Sequence, residues 1–127
     1  MITLDARVLI AHFDPVDSHH EAATAILFDA KPGSTLVHTL TMAEVLVGGC
    51  RIGRGAAMRD HLRAAGVGVA PRDDDEALRL AELRAGTGLK LPDCCVLDVA
   101  LHHQTSLATF DAALASIARR RGVAVLP

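Results

Sequence analysis

Ile2-Thr3-Leu4-Asp5 is a short apolar run closed by an acid. It reads as a buried strand whose carboxyl end carries Asp5. The same arrangement returns near the other end of the chain, where Ser106-Leu107-Ala108 leads at once into Thr109-Phe110-Asp111. Between these two stretches the sequence alternates between strand-like and helix-like segments. Ala6 to His12 is predicted helical. Ser18-His19-His20-Glu21 has the form of a capping box, with Ala22, Ala25, Ile26 and Phe28 following at helical spacing until Lys31-Pro32-Gly33. Thr35 to Thr39 is predicted as a second strand. Thr41-Met42-Ala43-Glu44 then reads as the capping box of a helix that runs through Val45, Leu46 and Val47 to Gly48-Gly49.

The alternation continues to the end of the sequence. Arg54 to Ala65 is a basic amphipathic helix, with Met58 and Leu62 four apart and Gly66 at the C-cap. Val67 to Ala70 is a third strand closed by Pro71. Asp73 to Glu76 reads as a solvated helix start, where the macrodipole favours acids. That helix carries Leu78, Leu80, Ala81 and Leu83 to a loop at Gly86-Thr87-Gly88. Pro92 sits as a first helical residue, and Cys95, Val96, Val99 and Ala100 form the apolar stripe behind it. Asp111 to Arg121 is the last helix and Val123 to Leu126 the fifth strand. Strands that alternate with helices define an α/β fold, a three-layer sandwich with a central, mostly parallel sheet of about five strands flanked by helices. With no repeat, linker or low-complexity tract, residues 1–127 read as one domain.

Composition narrows the function. Half of the 127 residues are hydrophobic and the formal net charge is only -2, which excludes disorder. Charged residues or His interrupt every apolar run short of a membrane span, and no secretory signal opens the sequence, so a soluble cytoplasmic protein is expected. With no Trp or Tyr and three Phe, an aromatic platform for stacking bases is disfavoured. Three Cys without a CxxC pair argue against a disulfide framework or structural zinc. The basic residues are mostly Arg, the better phosphate fork. Arg119, Arg120 and Arg121, with Arg54 and Arg59, are the candidate nucleic-acid contacts.

Ligands of open α/β sheets bind beyond the carboxyl ends of the strands. Asp5 ends the first strand, and no helix cap accounts for an acid there. Glu44 lies in the first turn after the second strand, Asp93 opens the helix leading to the fourth, and Asp111 follows that strand directly. The bland readings are a capping box for Glu44, dipole complementation for Asp93 and an N-cap for Asp111. Four carboxylates meeting on one edge would repel, and a hard divalent cation relieves that repulsion. An all-oxygen set points to Mg²⁺ or Mn²⁺ rather than zinc, and so to metal-assisted phosphodiester hydrolysis. Asp98 lies about 140° around an ideal helix from Asp93. It reads as a partner for a nearby Arg or His, with a supporting place in the site as the alternative. The seven His form no ligand pattern and read as surface or packing residues.

These residues resemble a PIN domain, and more closely the VapC-type ribonuclease toxins of toxin–antitoxin pairs. The similar pieces are Leu4-Asp5-Ala6 with Val8 to Ala11, Thr41 to Gly48, Leu91-Pro92-Asp93, and Leu107 to Asp111, closed by Val123-Ala124-Val125. The resemblance implies an endoribonuclease dependent on Mg²⁺ or Mn²⁺, with Asp5, Glu44, Asp93 and Asp111 catalytic, metal held by Asp5, Asp93 and Asp111, and Thr109 in support. It implies an RNA substrate, a cognate VapB-like antitoxin and a homodimer. A small domain with half its residues hydrophobic cannot bury them all, and the helices near Ile26 to Phe28 and Val45 to Val47 are the expected apolar faces for partners. Arg7, Ala113 and Asp98 depart from the pattern, which commonly carries a small polar residue, a further acid and a small or apolar residue at those positions. Two other readings are a non-catalytic PIN-fold RNA-binding or scaffold protein and a phospho-acceptor receiver domain, although Asp5 stands alone where a receiver carries an acidic pair.

Overall fold

The computed structural model describes residues 1–126. Five short strands, β1 (Ile2–Leu4), β2 (Thr35–Val37), β3 (Val67–Val69), β4 (Ser106–Ala108) and β5 (Val125–Leu126), form one sheet in the order β3-β2-β1-β4-β5. Every pairing is parallel, with Ile2 opposite Thr35 on one side and Ser106 on the other. The order reverses at β1 and β4, the switch point where a crevice opens beyond the carboxyl ends. A receiver domain has the strand order 2-1-3-4-5, so the sheet sets that reading aside.

Helices α1 (Ala6–Phe13), α2 (His20–Asp29), α3 (Thr39–Arg51) and α4 (Gly55–Ala64) follow β1 and β2, while α5 (Glu76–Thr87), α6 (Leu91–His102) and α7 (Ala112–Arg120) follow β3 and β4. Successive strand residues point to opposite faces, and the core divides accordingly. Leu4 and Ala108 pack with Val8, Leu9, Leu27 and Leu62, whereas Leu107 packs with Leu83, Leu97, Leu114 and Ala118. Removing a fully buried leucine such as Leu9 or Leu97 to Ala costs about 2–5 kcal/mol in cores of this kind.

The sequence placed the elements in the right order and misread several of their ends. Ser18 does not cap α2. Asp17 does the local work, its carboxylate accepting from His19 N and its carbonyl from His20 N. The second strand stops at Val37, because His38 caps α3 and Thr39 is already helical. The expected Thr41–Glu44 capping box is therefore absent, and the Thr41 hydroxyl is buried with no hydrogen-bond partner among the described residues. The fifth strand begins at Val125 rather than Val123. Helix α6 carries no mere stripe, since every residue from Cys94 to Ala100 is buried. Glu76 is no solvated helix start either. It is buried and bonded to His38 and Arg72.

Candidate active site

Asp5 stands where β1 meets α1, and it is 7% exposed. One carboxylate oxygen, Oδ1, accepts from the Ala6 amide at 2.7 Å, so Asp5 is the N-cap of α1, contrary to the sequence reading. Its other oxygen, Oδ2, accepts from the Thr109 hydroxyl at 2.7 Å. The Thr109 oxygen in turn accepts from the Asp111 amide at 3.0 Å, and Asp111 Oδ1 accepts from Leu114 N at 2.9 Å to cap α7. A short chain of hydrogen bonds thus ties the end of β1 to the end of β4. The backbone repeats the link, because Asp5 N donates to the Ala108 carbonyl.

Asp93 comes from the first turn of α6 and is half-buried, while Glu44 and Asp111 are exposed. Their charges act on one another. Burial, first, and then the charge of Asp111 push the Asp5 carboxyl above its ordinary value, against the hydrogen bonds from Thr109 and Ala6. Burial raises Glu44, with further contributions from Asp5 and Asp93. Burial likewise raises Asp93, with Asp5 and Asp111 adding to it and Lys90 opposing. Four acids from four separate stretches of sequence form one electrostatic group at the carboxyl edge of the sheet. With no capping box at Thr41, Glu44 has lost the structural explanation that its sequence context offered.

The donor chemistry of this edge is all oxygen. Cys94 and Cys95 lie nearby on α6, but both are buried and burial lifts their thiols, Cys95 to about 11, which suits them poorly to ligation as thiolates. Among the described residues, no three His, Cys, Asp or Glu side chains stand close enough to enclose an ion directly. The group fits a hard divalent cation that keeps much of its water shell, as Mg²⁺ does, rather than a dry cage.

The remaining site candidates fall elsewhere. Asp98 is 5% exposed and faces α5, where Arg79 grips it through Nε at 2.9 Å and a terminal nitrogen at 3.1 Å. The same Arg79 forks onto Asp73, whose carboxyl it holds down to about 2. Asp98 therefore has the arginine partner and not a place among the four acids. Arg119, Arg120 and Arg121 sit at the far end of α7 from Asp111, toward the amino edge of the sheet. Arg54 stands at the N-cap position of α4 without a side-chain capping bond and Arg59 pairs with its neighbour Asp60, and neither is among the cations that act on the acids. The cations that do are Arg7, which also pairs with Asp17 at 3.0 Å, and Lys90. Sequence reasoning noted Arg7 only as a departure from the family pattern and passed over Lys90, though each lies within three residues of a named acid.

A parallel α/β sheet with a carboxylate group at the β1/β4 edge defines a class, and the sequence agrees with it. The PIN domain family matches residues 2–120, and the chain belongs to that family. No curated protein matches the sequence significantly. Among solved structures, a toxin–antitoxin complex from Klebsiella pneumoniae is similar at 27% identity over 87% of both chains, with a TM-score of 0.73. The sarcin–ricin-loop-cleaving toxin VapC20 of Mycobacterium tuberculosis superposes with a TM-score of 0.74 at 16% identity, over 92% of this chain and 95% of that one. FitAcB from Neisseria gonorrhoeae covers 100% of this chain and 97% of its own, at 21% identity and a TM-score of 0.73. At those lower identities the likeness is one of fold.

Proposed function

We propose that this PIN domain is an endoribonuclease dependent on Mg²⁺ or Mn²⁺, acting in the cytoplasm as the toxin of a toxin–antitoxin pair. The observation that carries the reading is the gathering of Asp5, Glu44, Asp93 and Asp111 at one sheet edge, where burial first and neighbouring carboxylates second raise Asp5, Glu44 and Asp93. Like charges gathered at a partly buried edge are unfavourable by themselves, and a bound cation with an anionic substrate is the arrangement that makes them useful. A divalent ion held there by Asp5, Asp93 and Asp111 supplies charge neutralisation and a more acidic water.

The protein groups divide the remaining work. Asp5 is fixed on both oxygens by Ala6 N and Thr109, so its position costs no reorganisation during reaction. Thr109 keeps Asp5 and Asp111 in register. Glu44 is exposed and its carboxyl is raised, which suits it to accept a proton from the attacking water. Lys90 and Arg7 border the acids and offer cationic contacts to backbone phosphates.

The partner reading draws on the neighbours, some of which were solved as toxin–antitoxin complexes. Beside Glu44 the chain has a groove of about 340 Å³, lined by Ile10, Phe13, Val45, Ile52 and Met58, with Asp14 and Glu44 at its rim. An antitoxin segment with apolar residues and one Arg or Lys fits that chemistry, the cation reaching the acids and competing with metal. The α3 part of this groove is the Val45 region singled out by the sequence. A homodimer and a single-domain chain of 127 residues complete the proposal.

The test is RNA cleavage by the purified protein with end-group analysis. The expected products carry a 3′-hydroxyl and a 5′-phosphate, and EDTA stops the reaction. Asp5→Asn, Asp93→Asn and Asp111→Asn each lose at least about 100-fold while remaining folded. A 2′,3′-cyclic phosphate, full activity in EDTA, or wild-type activity of Asp5→Asn overturns the mechanism.

A further inference from the structure

Three histidines read from the sequence as surface or packing residues are gathered by the fold at the opposite end of α1 from Asp5. His12 lies in the last turn of α1, His20 opens α2, and His61 lies in the last turn of α4. His12 Nε2 faces His61 Nε2 at 3.1 Å, with ring centroids 5.4 Å apart. His20 lies parallel to His12, with centroids 6.4 Å apart. His12 is half-buried and His61 exposed, so the pair opens to solvent.

We propose that His12 and His61 form a two-nitrogen clamp for a borderline transition-metal ion of the Zn²⁺, Ni²⁺ or Cu²⁺ class, separate from the acidic site. Two nitrogens of a tetrahedral zinc site, each ~2.0–2.1 Å from the metal, stand roughly 3.3 Å apart, close to the separation here. Two imidazolium rings cannot face each other at that distance, so at most one proton lies between them, and a cation can take its place. The far side of His12 is arranged as metal-binding histidines are. Its Nδ1 meets the Thr24 hydroxyl at 3.0 Å, an acceptor for the N–H that ligation through Nε2 leaves on Nδ1.

The surroundings favour a cation without supplying a competing one. The last turns of α1 and α4 both end at the pair, and the negative ends of two helix dipoles favour positive charge there. Proton binding is opposed, because His12 is held below its ordinary value by burial and by His61 and His20. His20 donates through Nδ1 to the Ala11 carbonyl at 2.8 Å, which holds its ring parallel to His12. Among the described residues no third side chain completes a ligand set, so water or an anion fills the other positions. Imidazole donors with open water positions suit Zn²⁺, Ni²⁺ and Cu²⁺ and not Mg²⁺. About seven residues of helix, or ~10 Å, separate His12 from Asp5. The two sites thus lie at opposite ends of one helix and differ in donor chemistry. A bound ion ties α1 to α4, and His61 also packs its ring on Phe13 in the wall of the apolar groove.

The experiment is titration of the full chain with Zn²⁺ or Ni²⁺ in excess Mg²⁺, followed by calorimetry and by long-range ¹H–¹⁵N spectra of the histidine rings. One ion per chain is expected, with the Nε2 resonances of His12 and His61 moving together and the Tm rising. His61→Gln, a change at an exposed position, weakens binding by about tenfold or more, and Thr24→Val, which keeps both nitrogens, weakens it by about tenfold. Asp5→Asn leaves it unchanged. Unmoved His12 and His61 resonances at saturating metal, undiminished affinity in His61→Gln, or loss of binding in Asp5→Asn overturns the clamp.

Discussion

Thr109 occupies a more demanding position than its size suggests. Its hydroxyl donates to a buried carboxylate and accepts from the amide that begins the turn into α7, so one oxygen holds two acids in place. The bond to Asp5 also lowers that carboxyl against burial, and without it the Asp5 pKa moves further up. Thr109→Val keeps the shape and removes both interactions. The expected outcome is a loss of about 10- to 100-fold in metal-dependent cleavage, with about 1–2 kcal/mol of stability lost with the acceptor for Asp111 N. The acid limb of the rate profile moves to higher pH. Equal cleavage by Thr109→Val at every pH would show that Asp5 needs no such support.

At the scale of the helix, α3 depends on a residue that no local pattern announces. His38 Nδ1 accepts from Leu40 N at 2.9 Å, which places the ring proton on Nε2, and Nε2 donates to Glu76 on α5. The imidazole caps the helix that carries Glu44 and also satisfies a buried carboxylate, holding Glu76 below its ordinary range. His38→Ala removes the cap and leaves Glu76 with only the exposed Arg72, at an expected cost of about 2–4 kcal/mol in chemical denaturation. His38→Asn, a good N-cap that cannot reach Glu76, loses less. Equal losses would mean that the cap carries none of the energy. This pair also explains where sequence reading stopped. Strand and helix order was legible because β1, β2 and β4 are apolar runs bounded by acids and turn residues. Helix starts were not, because Thr41-x-x-Glu44 satisfies the capping pattern while a contact spanning 38 residues decides the true start. The four acids were legible from their places at strand and helix ends. The bond from Thr109 to Asp5, the Arg79 fork on Asp98 and the pairing of His12 with His61 all join elements distant in sequence, whereas the N-cap role of Asp5 is local and was hidden by reading Asp5 only as a strand end.

Across the whole molecule, the acidic edge sets a balance between stability and function that pH exposes. Asp5, Glu44 and Asp93 have folded values above their ordinary ones, so the folded state binds these protons more tightly than the unfolded chain. Their stabilising contribution is complete below the unfolded values and is lost as pH rises through the raised folded values. Asp73 and Glu76 run the other way, with lowered values that hold stability until more acidic pH. His12, held low, opposes folding as it is forced to charge in acid. Comparing variants cancels these background groups. Without divalent metal, Asp5→Asn should melt above the wild type at about pH 8, where repulsion among the acids is complete, and the gap should close as pH falls toward about 4. Adding Mg²⁺ at pH 8 should close it too, because the cation stabilises only the wild-type edge. Melting curves of both proteins across that range, with and without Mg²⁺, decide the matter. A gap that is absent at pH 8 would mean that the carboxylates do not strain the fold, and a gap untouched by Mg²⁺ would mean that the ion does not bind where they meet.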